Sequence, residues 1–287
     1  MMKKAAKTVV SFLLALVSSF AAFSFAGCGE SGAGDDKTIV VGASSTPHAE
    51  ILNLVKEDLA AEGYNLKVTV YSDYVFPNLN LESGDLDANY FQHTPYLETF
   101  NAEHGTHLVA LDKIHYEPFG IYGKNVSAED FANVKTGRTI YIPNDGSNGT
   151  RALFLLQEQG YITLRDGVKG TDTLTTLDVA DAGGNTVVPQ IAEILCTQLS
   201  SADDGSLAVI NGNYALEGGL TSADVLAYES AEGEAASLYA NVVAVRAGNE
   251  QLPKIQALLK ALKSQKVFDF INSNYGGAVQ PVFTVGG

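Results

Sequence analysis

No tryptophan occurs in these 287 residues, and cysteine appears only twice, at Cys28 and Cys196. A framework of several disulfides is thereby excluded. Cations are scarce as well: 18 Lys and Arg against 33 Asp and Glu leave a formal charge of -15. A surface of that sign repels phosphate backbones, so nucleic acid is not an expected partner. The GxSxG and HExxH motifs are missing, and the loop containing Gly146 and Gly149 lacks the Gly-Lys-Ser/Thr ending of a phosphate-binding P-loop. No enzymatic activity and no cofactor are therefore expected. His104 and His107 have a spacing that could hold a metal, but Gly105 separates them at a helix end and no third ligand is near. No metal is expected, and a metal-binding lipoprotein is kept only as an alternative.

What is present begins with an export signal. Lys3, Lys4 and Lys7 precede an apolar run from Val9 to Ala26, which ends at Phe25-Ala26-Gly27-Cys28. A basic start, a short apolar centre and small residues at the end describe a cleaved secretory signal over residues 1–27. Eighteen such residues could just span a bilayer, but the run stops at Gly27 and passes into a polar tether, 28–36, without a basic stop-transfer flank. The spacing resembles a bacterial lipobox, which implies lipidation of Cys28. More than one acyl chain suffices for stable anchoring, so the expected location is the extracytoplasmic face of the cell membrane, with a monomer held there by lipid. Removing 27 of 287 residues leaves 260 and takes the formal charge from -15 to -18. Cys196, alone in QIAEILCTQL, is expected to be a buried small hydrophobe.

The mature chain alternates strand and helix patterns. Residues 38–43 form a continuous β-branched run suited to a buried strand. Pro47 opens a helix pattern carrying Ile51, Leu52, Val55 and Leu59 to Gly63, and Leu66, Val68 and Val70 then alternate as a strand. Helices are expected after Pro95, at 127–131, from Thr150 to Gln159, from Gln190 to Leu199 and from Pro253 to Lys263. Strands are expected at 108–111, 139–142 and 207–210. This rhythm predicts an α/β fold with largely parallel sheets. Pro118 interrupts His115–Tyr122, so that stretch suits a crossing between two lobes, and 239–246 suits the return. The expected lobes are 37–117 with 243–287, and 118–242.

The stretch from Tyr71 to Phe100 concentrates Tyr74, Phe91, Tyr96 and His93 among turn formers such as Pro77, Gly84 and Pro95. Rings with sparse polar groups suit the wall of a small-molecule pocket. Arg151 is placed in the first turn of its helix, where a cation opposes the macrodipole by about 0.3–1 kcal/mol; a ligand carboxylate bound by the guanidinium and the helix amides would compensate. Asn211 ends a strand, where open α/β sheets bind ligands, and Asn241 lies in the return crossing. Each amide offers an oxygen to an ammonium or a nitrogen to a carboxylate.

The segments VGASSTPHAEIL (41–52), SDYVFPNLNL (72–81), LDANYFQHTPYL (86–97), HYEPFGIY (115–122), IPND with TRALFLLQ (142–157), VINGNYA (209–215), YANVVAVR (239–246) and GGAVQPVF (276–283) resemble the methionine-binding lipoproteins of the NlpA/MetQ type. These are substrate-binding components of methionine ABC importers. Eight segments in register over nearly the whole mature chain carry the likeness. It implies a two-lobed periplasmic-binding-protein fold, type II-like, with two crossover strands and L-methionine in the cleft, or D-methionine or a related amino acid. It also implies an ABC permease as membrane partner. The matching positions place Tyr74, Phe91, His93 and Tyr96 around the side chain, Arg151 at the carboxylate, and Asn211 and Asn241 at the amino-acid group. Another amino acid or a methionine-containing dipeptide is the alternative ligand.

Overall fold

The computed structural model describes residues 37–170, 172–230 and 235–286. The signal segment, Cys28 and most of the tether lie outside them. The strands in chain order are β1 (Thr38–Ser44), β2 (Asn65–Tyr71), β3 (Ala88–His93), β4 (Leu108–Tyr116), β5 (Gly120–Gly123), β6 (Thr139–Pro143), β7 (Thr163–Leu164), β8 (Val179–Asp181), β9 (Thr186–Gln190), β10 (Leu207–Ile210), β11 (Val225–Tyr228), β12 (Ala240–Arg246) and β13 (Gln280–Pro281). One sheet runs β13-β4-β12-β3-β1-β2 and a second β11-β5-β10-β6-β9, while β7 and β8 pair apart. The chain leaves the first sheet after Tyr116 and returns at Ala240, giving a two-lobed α/β architecture.

Each sheet is mixed rather than largely parallel. Helical crossovers make β2 and β3 parallel to β1. The returning strand β12 enters from the other sheet and lies antiparallel to both β3 and β4. The first core gathers Ile39, Val41, Ile51 and Leu52 with Ile255, Leu258 and Leu262 of helix Pro253–Leu262. The 3.6-residue spacing of these helix side chains brings all of them to one buried face, each contributing about 1.5–3 kcal/mol. Ile140, Ile142, Leu153, Leu156 and Val209 fill the second core.

Two expectations about local structure are corrected. The helix after β6 begins at Gly146, not Thr150, because Asp145 caps it: Asp145 Oδ1 accepts from Asn148 N at 2.7 Å. The expected helix at 190–199 begins later; Gln190 closes β9, a 3₁₀ turn covers Ala192–Ile194, and the α-helix is Leu195–Ser201.

The aromatic stretch is also more regular than its turn formers suggest. It contains helix Phe76–Ser83 and the wholly buried strand β3. The polar residues of β3 are tolerated because they bond to one another. Asn78 Nδ2 donates to Gln92 Oε1 at 2.8 Å, while Asn89 and Gln92 each donate to Asn78 Oδ1 at 2.7 Å. Asn78→Ala is expected to orphan these partners at about 1–3 kcal/mol each, measured as a lower urea midpoint without ligand. An unchanged midpoint would show that the triad adds nothing.

Candidate functional site between the two sheets

A third cluster joins the lobes: Tyr74, Phe91, Tyr96 and Phe100 meet Tyr122, Ala208, Ile210 and Tyr214. The ring centroids of Tyr74 lie 5.7 Å from those of Phe91 and Tyr96 and 4.8 Å from that of Tyr214, within the range of favourable aromatic pairs. Tyr74, Phe91 and Tyr96 line a cavity that also meets polar side chains.

The seven side chains expected at a ligand come from five separated stretches, and all line this cavity. His93 ends β3 and caps helix Thr94–His104, its Nδ1 accepting from Tyr96 N at 3.2 Å. That acceptor role leaves Nε2 protonated, facing Asn148 Oδ1 at 3.1 Å. Burial, then the charge of Arg151, lowers the His93 pKa to about 3, so the ring is neutral. Asn211 Nδ2 donates to the same Asn148 Oδ1 at 3.0 Å. Asn241 Oδ1 faces His48 Nε2 at 3.0 Å.

Arg151 is 6% exposed and sits in the second turn of its helix, not the first. Nor do the helix amides join it at one anion, since the Asp145 carboxylate covers the helix start. The acid paired with Arg151 is Glu229, 78 residues away: Arg151 Nε donates to Glu229 Oε2 at 2.8 Å and Nη2 to Oε1. Nη2 also donates to the carbonyl of Glu117 at 2.9 Å, and Tyr239 stacks 4.4 Å from the guanidinium. Burial acts to raise the Glu229 pKa, but Arg151, Tyr116 and the Phe119 amide override it and hold the carboxyl below its ordinary range. Among the described residues, Nη1 has no side-chain acceptor in this network, so the guanidinium keeps an edge for the cavity.

Sequence reasoning missed Glu117, Asn148, Asn213 and Glu229. Glu117 was visible as an acid inside the apolar crossing HYEPFGIY. It is 6% exposed and lines the cavity, and burial raises its pKa against the opposing effects of His48, Arg151 and the Asn213 amide. Asn211 Oδ1 and Asn213 Nδ2 are buried without hydrogen-bond partners. Such groups are rare in native proteins, and here an acceptor and a donor both face one cavity.

His104 and His107 do not form a metal pair. His104 stacks on Phe100 at 4.0 Å, and His107 Nδ1 faces Glu82 Oε1 at 3.1 Å. Among the described residues, the group able to hold a metal is a different one, His48, His115 and Glu117, whose ligand atoms lie within 4.8 Å of one another. Cys196 is half-buried, its thiol turned to Tyr214 O at 3.2 Å and its pKa pushed up to about 11 by burial. It is therefore not a thiolate at neutral pH.

Two α/β lobes with a ring-lined cavity at their seam place this chain among the two-lobed substrate-binding proteins. It belongs to the NlpA lipoprotein family, whose model matches residues 39–283. It is 39% identical to the methionine-binding lipoprotein MetQ of Bacillus subtilis, covering 94% of this chain and 98% of that one. To the D-methionine-binding lipoprotein MetQ of Escherichia coli K12 it is 35% identical, covering 93% and 95%. Among solved structures, a nutrient-binding protein from Burkholderia cenocepacia bound to methionine superposes with a TM-score of 0.78 at 37% identity, over 85% of this chain and all of that one. A lipoprotein from Ruminococcus gnavus gives 0.80 at 49% identity, over 86% and 100%. No helix among the described residues is long and apolar enough to cross a membrane.

Proposed function

We propose that this protein captures free methionine in the cavity and delivers it to an ABC permease from a lipid anchor at Cys28. The observation that carries the reading is that opposite charges, Arg151 and Glu117, line one aromatic cavity. A zwitterionic amino acid needs both within reach when water is excluded. In this reading Arg151 and Asn213 Nδ2 take the carboxylate, Glu117 and Asn211 Oδ1 take the ammonium, and Asn241 and His93 complete the polar shell. Tyr74, Phe91 and Tyr96 surround the thioether, whose polarizable sulfur sits well at ring edges. A relative named for methionine binding and a solved structure bound to methionine support the same ligand.

Lobes 37–117 with 243–287 and 118–242 would close about their two crossings, ligand contacts favouring the closed state. Contacts already spanning the seam are Tyr74 to Asn213, Tyr214 to Ser72, and His93 to Asn148. Mass spectrometry of small molecules released on denaturation, with thermal shifts for L-methionine, D-methionine, other amino acids and methionyl dipeptides, tests the reading. A ligand that binds only the native state raises its melting temperature. A shift with another amino acid and none with methionine would sink the assignment.

A further inference from the structure

Behind Glu117, away from the cavity, lies a polar cluster with no part in the expected site: His48, 1% exposed, and Tyr90 and His115, both 0% exposed. His115 Nε2 is 2.7 Å from Glu117 Oε1, and its Nδ1 meets the Tyr90 hydroxyl. Burial raises the Tyr90 pKa well above its ordinary value, so the phenol keeps its proton and donates it to Nδ1. That bond fixes the tautomer: Nε2 carries the hydrogen and donates to the carboxylate. His48 Nε2 lies 3.0 Å from Asn241 Oδ1, which can only accept, and 3.5 Å from Glu117 Oε1. Glu117 Oε2 is on the other side, against Gly212, where an added Cβ would stand 2.5 Å from it.

We propose that Tyr90, His115 and His48 are positioning residues for an ammonium acceptor, holding Glu117 Oε1 from behind so that the site selects ligands bearing a free α-amino group. The proposal rests on the reading above that Glu117 receives the ammonium. His115 and His48 orient the carboxylate through these contacts from behind. Other groups near Glu117 are Arg151, the Asn213 amide, Glu217 and the phenols of Tyr74, Tyr122 and Tyr275. Arg151 is already paired with Glu229, which leaves the ligand's ammonium as the cation Glu117 is free to meet.

The test titrates the full chain with methionine and with 4-(methylthio)butanoic acid, which keeps the thioether and carboxylate but lacks the amino group. His115→Leu, which removes a hydrogen bond to the carboxylate, should weaken methionine about tenfold or more; Tyr90→Phe, which removes the bond that fixes the His115 tautomer, should weaken it about threefold or more, and both should leave the amino-free acid within about twofold. Equal weakening of both ligands would mean that the cluster only supports the fold, and would overturn the proposal. Tyr90→Phe removes a single oxygen and carries the test should His115→Leu not fold. If the unaltered chain binds the two ligands equally, the reading of Glu117 fails instead, a different result seen without any variant. Zinc alone binding one-to-one to the unaltered chain, and not to His115→Leu, would make the cluster a metal site and equally overturn the positioning role.

Discussion

Arg151→Ala is expected to cost affinity and stability together. Truncating one partner of a desolvated charge pair weakens binding by about 2–5 kcal/mol, and calorimetry with methionine should show that loss. The same substitution leaves Glu229 buried without its cation. Breaking a buried ion pair in this way costs about 3–5 kcal/mol of folding stability, read from denaturant unfolding of the ligand-free protein. The pH dependence follows from the Glu229 carboxyl, held below its ordinary value of 4.5 in the folded chain. A depressed carboxyl contributes stability above that value and loses it as the pH falls through the folded pKa. Without Arg151, only the Tyr116 hydroxyl and the Phe119 amide oppose burial, so Glu229 is less depressed. The variant should recover part of its deficit relative to the parent as the pH falls below 4.5, where the parent loses that contribution. Unchanged methionine affinity would remove Arg151 from the site whatever its effect on stability.

Glu117→Gln should separate the two quantities. The amide keeps the size and shape of the side chain and removes the charge that faces the ammonium, so methionine affinity should drop by about 2–5 kcal/mol. Stability of the ligand-free chain should hold or rise. The folded pKa of Glu117 is raised above 4.5, by burial first. A raised carboxyl contributes stability below its unfolded pKa and loses it as the pH climbs through the folded value. Above its folded pKa the ionised Glu117 works against the fold, and glutamine relieves it. Parallel loss of melting temperature and affinity would show instead that the carboxylate is structural. Lowering the pH should weaken methionine binding by the parent, because the protonated acid no longer offers a full charge.

Much of the local structure was legible because periodicity reports burial. Ile255, Leu258, Leu259 and Leu262 recur at helical spacing and are all buried, and the β-branched run at 38–43 became β1, interior to its sheet. The start of the Arg151 helix was misread because Gly146 and Gly149 suggest a loop. Each glycine is set by a close neighbour: a Cβ at Gly146 would stand 2.7 Å from Thr173, and one at Gly149 3.0 Å from the Pro143 carbonyl. That β3 could bury Gln92 was not legible, because its partner Asn78 lies on a helix 14 residues earlier.

By itself, the sequence determined the class of fold, the order of its elements and seven of the side chains that line the cavity. Those properties follow from spacing along the chain and from residue types with few roles, such as rings beside turn formers. Tertiary structure alone decided the charge arrangement. Arg151 meets Glu229, 78 residues away, and burial raises the Glu117 carboxyl against His48, Arg151 and the Asn213 amide. The physical reason is that electrostatic pairing depends on distance and desolvation in space, neither of which leaves a period in the chain.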